Sequence, residues 1–401
     1  MSAYLDHAAT TPMSPEAVAT LVEHLGRTGN PSSLHAAGRA ARRTVEESRE
    51  RIATALGARP SEVLLTGGGT EADNLALKGM FWARTTADPA RRRVLVSAVE
   101  HHAVLDPAFW LAEHAGAEIV LLPVDAEGRL RVDALRAELA AHPGSTALVS
   151  VMWANNEVGT VQPVAEVVAA AHRYGVPVHA DAVQAVGQVP VDFAASGLDA
   201  MTVSAHKLGG PVGVGALLAR RGLDLVPVQH GGGQERGVRS GSLDTPAIAA
   251  FATAVQQAVE GRVEHAARVG ALRDALVAGV RAAVPEAVLR GPEDPATRLP
   301  ANAHLTFPGC EGDSLLYLLD TAGVECSTGS ACQAGVPQPS HVLLAMGLDE
   351  GEARGALRFS LGRTSTVADV DAVLAVLPAV VERARSAGMA GARSAGTAGA
   401  A

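Results

Sequence analysis

Residues 201–219, MTVSAHKLGGPVGVGALLA, decide the fold. Met201, Val203 and Ala205 alternate along one side of a short strand, Gly209-Gly210-Pro211 breaks it, and VGVGALLA opens another apolar run at once. Lys207 therefore stands where a buried strand ends. Most lysines are solvated surface residues. At the carboxyl end of a strand facing an apolar cleft, however, an ammonium group is desolvated and its pKa falls, which frees the amine to attack a carbonyl.

Outward from that lysine, residues of about 60 to 220 alternate short β-branched runs with amphipathic stretches. The strand-like runs are SEVLLT, RRVLVSA, AEIVLLP, TALVSVMW, VPVHAD, DAMTVSA and GALLA. Between them lie helical patterns such as EADNLALKGMFWA and VAEVVAAAHRYG. This order predicts an α/β fold, a mainly parallel sheet covered by helices, with ligands beyond the carboxyl ends of its strands. Residues 244–284 read as a long helical region without strand signals, linking domains. Beyond it, NAHLTF and ALRFSL mix with DSLLYLLDTAG and VADVDAVLAVLPAVVERAR, which predicts a smaller α+β domain. The final SAGMAGARSAGTAGAA is low in complexity, so disorder is expected from about residue 387.

The composition narrows the possible partners. The 401 residues suffice for two domains, and 48% hydrophobic residues fill a large core. A net charge of −9 disfavours direct nucleic-acid or membrane-surface binding, which leaves small molecules and proteins. The start, MSAYLDHAATTP, lacks the basic and apolar regions of a leader, and no apolar stretch is long enough to span a bilayer. Three cysteines, Cys310, Cys326 and Cys332, form neither a CxxC pair nor an even disulfide framework. The expected location is therefore the cytoplasm, and no metal site of the chain's own is expected.

Further residues gather at the predicted strand ends. Asp181 closes VPVHAD, 26 residues before Lys207 and on a neighbouring strand. A carboxylate there is costly unless paired with a cation. Pyridoxal phosphate needs a lysine for its aldehyde and an acidic partner for its ring nitrogen, and this pair supplies both. Taken alone, Asp181 reads equally well as a helix cap before AVQAVG. LLTGGGTEADNLALKG is a strand, a triple-glycine turn and a helix start, where backbone amides and Thr70 would hold a phosphate. The lysine of a nucleotide-binding P-loop is missing. A loose dinucleotide pattern through Gly67, Gly69 and Ala72 finds its acidic residue, Asp88, in a polar stretch instead of at a strand end. An ordinary capped turn remains open for these glycines. His101 follows the apolar run of VSAVEHHAVLDP, where its ring could lie over a flat cofactor and move protons near neutral pH, a reading that stands level with a purely structural histidine.

From YLDHAATTP to RFSLGRTST the chain resembles the cysteine desulfurases of the NifS/IscS type, class-V aminotransferases among the fold-type-I pyridoxal-phosphate enzymes. GNPSSLHAAGR, TGGGTEADNLALKG, EHHAVLD, NNEVGTVQP, HADAVQAVG, SAHKLGGPVGVGAL, HGGGQERGVRSGS and CSTGSAC follow in the family's order. The resemblance implies a seven-stranded, mainly parallel sheet with helices on both faces and a smaller α+β domain. The large domain would span residues 14–260, the small one 1–13 and 261–386, and 387–401 would be a disordered tail. It also implies that Lys207 carries the cofactor, Asp181 faces its ring nitrogen, His101 stacks on the ring and Gln184 bonds the ring hydroxyl. Gly69, Thr70, Ser204 and His206 would hold the phosphate, and Asn156 and Arg358 the substrate carboxylate. Without the resemblance, Arg358 reads as a salt bridge at a domain interface.

In the same family the cysteine of the SGSAC pattern is the nucleophile, which here is Cys332 in ECSTGSACQAGVPQPSHVL. The implied reaction takes sulfur from L-cysteine, releases alanine and leaves a persulfide on Cys332. Acceptor proteins would then take the sulfur for iron-sulfur assembly or tRNA thiolation, and Cys332 could transiently ligate a nascent cluster. Cys310 and Cys326 read as buried thiols. Ser242 stands in RSGSLD where the family commonly has threonine, and its hydroxyl would reach the neighbour's phosphate across a homodimer interface. Between LLARR and HGGG the chain is shorter than the family's usual length, and no arginine is assigned there. A selenocysteine lyase is the nearest rival reading, and a cofactor-free scaffold a more distant one.

Overall fold

The computed structural model describes residues 2–329 and 338–398. Its large sheet has seven strands, in spatial order Val63–Thr66, Gly215–Ala219, Ala200–Ser204, Val178–Asp181, Thr146–Ser150, Arg93–Ser97 and Glu118–Leu122. Gly215–Ala219 runs antiparallel to both neighbours, and every other pairing is parallel. Each apolar run read as a strand in this region is one. Six of the seven strands are buried along their whole length, which is why they read as continuous apolar runs. The edge strand Glu118–Leu122 has exposed positions.

Successive side chains of a strand point to opposite faces, so the sheet feeds two cores. Leu65, Leu95, Val149, Met201 and Val203 pack on one face with helices Ala36–Ala55, Val164–His172 and Thr245–Glu260. Leu64, Val94, Leu148 and Leu217 pack on the other with helices Gly69–Ala87 and His102–Ala115. Met201, Val203 and Ala205 all join the first core, as their alternation requires.

A third core joins Ala3, Leu5, Val269, Leu276, Leu305, Phe307, Phe359 and Leu377. It lies around an antiparallel sheet of Val288–Arg290, Asn302–Thr306 and Ala356–Ser360, and a parallel pair, Ala3–Tyr4 with Val324–Glu325. The N-terminal segment ties this region to the large sheet. His7 N donates to Ser360 O and Thr11 N to His206 O.

The region 244–284 is helical as expected, in two helices, Thr245–Glu260 and Arg262–Ala283, divided at Gly261. One expectation changes. Residues 387–398, expected to be disordered, continue the helix Val367–Ala398. Extending a packed helix needs no new nucleus, and this stretch is rich in alanine, the strongest helix former.

Candidate active site

The carboxyl ends of the parallel strands open into a cavity of about 410 Å³. Strand Ala200–Ser204 ends there in a single 3-10 turn, Ala205–Lys207. Lys207 Nζ donates to the carbonyls of Ala8 at 2.5 Å and Ala9 at 2.7 Å. Burial, helped by the Arg358 charge and opposed by Asp181 and Asp6, lowers its pKa to about 8.

Asp181 ends the adjacent strand, in register with Thr202. Its Oδ1 accepts from Val183 N at 2.8 Å. Burial pushes its pKa up to about 6, against the opposing pull of that hydrogen bond and of Lys207. Asp73, also buried, lies 3.5 Å from His179 Nε2, and burial together with the Asp181 charge holds its carboxyl well above the usual range.

The glycine turn depends on missing side chains. Gly68 has φ +144°, a conformation L-residues rarely adopt, and helix Gly69–Ala87 starts immediately after it. Across the turn, a β-carbon on Gly215 would meet Val203 O at 2.7 Å and Gly68 Cα at 2.9 Å. A β-carbon on Gly69 would sit 3.1 Å from Val183 Cγ2 and 3.9 Å from Ser204 Oγ. Exposed Thr70 in the first helical turn, buried Ser204 and His206 complete this end of the cavity. His206 Nδ1 lies 3.3 Å from Thr10 Oγ1.

The remaining residues close the other sides. His101 caps helix His102–Ala115, accepting from Ala103 N at 3.0 Å through Nδ1. Desolvation, with the Lys207 charge, lowers its pKa to about 4. Gln184 Nε2 donates to Ala8 O at 2.9 Å. Arg358 reaches Asn156 O at 3.1 Å through Nη1 and Asp6 Oδ1 at 2.7 Å through Nη2. Ten of the twelve residues singled out from the sequence thus line one cavity. The eleventh, Ser242, is exposed and outside it. The twelfth, Cys332, lies outside the described residues. Cys310 and Cys326 are buried, and desolvation pushes the Cys326 thiol up to about 12.

Sequence reasoning missed Asp6, Glu71, Glu100, Glu157, Glu235 and Arg239. Buried Glu235 takes a two-point ion pair from Arg49, 2.7 Å at each contact, and accepts from Leu65 N at 2.8 Å. Arg239 bonds Glu71 at 2.6 Å, and Glu71 in turn accepts from Gly67 N at 2.8 Å. The stretch HGGGQERGVRSGS is thereby pinned to the glycine turn. For Glu71, Glu235 and Arg239 the available signal was charge inside otherwise glycine-rich motifs. Among the described residues, no His/Cys/Asp/Glu cluster suits a metal ion, and no helix is long and apolar enough to cross a membrane.

Residues 3–373 match the class-V aminotransferase family. The chain is 60% identical over 390 residues to an IscS-like cysteine desulfurase of Mycobacterium tuberculosis, covering 97% of this chain and 99% of that one. It is 41% identical over 384 residues to the cysteine desulfurase IscS of Dictyoglomus turgidum, covering 96% and 95%. Among solved structures, a NifS-like protein superposes with a TM-score of 0.87 at 35% identity, covering 95% of this chain and all of that one.

Proposed function

Because the chain belongs to the class-V aminotransferase family, among the cysteine desulfurases of the NifS/IscS type, we propose that its strand-end cavity holds pyridoxal 5′-phosphate and takes sulfur from L-cysteine onto Cys332. The observation that carries this is Lys207 beside Asp181 on adjacent strand ends of one cavity. The donor set fits the cofactor. The helix start at Gly69 and Thr70, with Ser204 and His206, suits a phosphate; Asp181 suits a ring nitrogen; and the imidazole of His101 in the same lining suits stacking on a ring. At Gly69, a β-carbon would press on Val183 and fill that cradle.

When bound, the cofactor supplies an electron sink for the substrate's α-carbon. The chain's own groups do the rest. Lys207 Nζ, partly neutral near pH 8, would be the amine that holds the cofactor through its aldehyde carbon. Asp181 would face the ring nitrogen of the cofactor as an anion, and Gln184 would bond the ring hydroxyl. Arg358 and Asn156 orient the substrate carboxylate. His101, neutral in this setting, moves protons over the ring. The Cys332 thiolate attacks the substrate sulfur and forms an S–S bond. The Cβ–S bond breaks, its electron pair stays with the carbon, and protonation there gives alanine. Cysteine plus thiol thus yields alanine plus persulfide, with no net oxidant.

The same reading makes the protein a homodimer in which Ser242, exposed and outside its own cavity, completes the partner's phosphate site. It also divides the chain into a large domain, 14–260, and a small one, 1–13 with 261–386. Sulfur-acceptor proteins, an iron-sulfur scaffold or a tRNA-thiolating enzyme, take the persulfide sulfur in the cytoplasm.

The test is mass spectrometry after incubation with cysteine. A one-sulfur adduct on the peptide carrying Cys332, absent in Cys332→Ala, supports the reading. Full alanine release by Cys332→Ala overturns it. Comparing cysteine with selenocysteine separates a selenocysteine lyase. Lys207→Ala is expected to lose the visible absorption band and all activity.

A further inference from the structure

Glu157, in the turn just after Asn156, is 3% exposed, yet its carboxylate serves none of the roles assigned above. It meets both ends of the segment that carries Cys332. On the C-terminal side, Ser340 Oγ donates to Glu157 Oε2 at 2.6 Å, and Ser340 is itself 2% exposed. On the N-terminal side, Gly329 lies directly on the same carboxylate. A β-carbon there would stand 3.2 Å from Glu157 Oε2 and 3.1 Å from His304 Cε1, and the φ of +86° independently favours glycine.

The surroundings hold that carboxylate still. Asn155 Oδ1 accepts from Glu157 N and Val158 N, both at 2.9 Å, which fixes the turn. The neighbouring Asn156 O accepts from Asn302 Nδ2 and from Arg358 Nη1, both at 3.1 Å. Ser327, two residues before Gly329, exchanges backbone hydrogen bonds with Arg358, and Ser327 Oγ accepts from Gly329 N at 3.0 Å. The turn that would hold the substrate carboxylate and the two anchor points of the sulfur-carrying segment therefore form one hydrogen-bonded unit. Burial raises the Glu157 carboxyl toward its neutral form, opposed by Ser340, His341, Arg358 and His102. Glutamine matches the glutamate side chain in shape and keeps an oxygen acceptor.

We propose that Glu157 is a positioning residue that clamps residues 329 and 340 together and so sets where the Cys332 thiol meets the substrate. The proposal rests on the reading of Cys332 as the sulfur acceptor. Two readouts separate positioning from mere folding: the absorbance change of the holoenzyme on adding cysteine, which follows substrate engagement, and the rate of persulfide formation on Cys332 by mass spectrometry.

Glu157→Leu and Ser340→Ala are each expected to slow persulfide formation at least about tenfold, since a misplacement of ~1 Å costs on the order of 100-fold. Engagement of cysteine should stay within about twofold of the parent. Glu157→Gln, which keeps an acceptor for Ser340, recovers most of the rate. The double variant Glu157→Leu/Ser340→Ala should be no slower than the slower single one, because both remove one clamp. If Glu157→Leu does not fold, Ser340→Ala against Ser340→Thr carries the same comparison. An unchanged persulfide rate in Ser340→Ala and Glu157→Leu overturns the clamp. So does a fall of engagement in equal proportion, or a glutamine variant as slow as the leucine one. A parent enzyme that forms no persulfide on Cys332 overturns instead the reading on which the clamp rests.

Discussion

At the scale of single residues, the charges around Lys207 set a testable pH profile. Its pKa of about 8 lies below the ordinary lysine value because the amine is buried and faces Arg358. Cofactor capture by the apoprotein should therefore quicken about tenfold per pH unit below pH 8 and level off above it, followed as borohydride-trapped label on Lys207. Arg358→Gln removes a repelling charge and should move the midpoint upward. Asp6→Asn removes an attracting one and should move it downward. Cys326, with its thiol pushed to about 12, should resist alkylation in the folded protein at neutral pH, as peptide mass mapping would detect. Lys207, Asp181 and His101 were legible in the sequence because each directly follows an apolar run. Asp6 was not: nothing local in YLDHAAT announces that it pairs with an arginine 352 positions later.

At the scale of elements, the strands were legible wherever burial on both faces made an unbroken apolar run. The two- and three-residue strands Ala3–Tyr4, Val324–Glu325 and Val288–Arg290 carry too few residues for any period to show. The glycine turn owes its shape to its neighbour across the sheet. Gly215→Ala should destabilise the fold by about 1–3 kcal/mol and loosen cofactor retention, measured by thermal melting and by cofactor loss on dialysis, because the added methyl enters the space of Val203 O and Gly68. Glu235→Ala should cost more, about 3–5 kcal/mol, since it strands the Arg49 guanidinium without its partner. Glu235→Gln should recover part of that loss in the same melts.

At the scale of the whole molecule, light scattering should give twice the chain mass, and an active monomer would contradict the shared site proposed for Ser242. Mixing a Ser242→Ala chain with a Lys207→Ala chain should yield heterodimers in which one of the two cavities keeps both groups intact. The division into cores around the large and small sheets was visible in the changing rhythm of the sequence, whereas the way the first residues bridge them was not. The bridging has a consequence for biosynthesis. Lys207 Nζ rests on carbonyls of residues 8 and 9, and that strip is held by residue 360 and by the pair at 324–325. On the ribosome, residues 3–8 must wait for their partners at 323–325 and 360 until almost the whole polypeptide has emerged. The prosthetic group proposed for this cavity would thus find a complete berth only late in translation, and premature termination upstream of residue 360 should yield a product that fails to retain it.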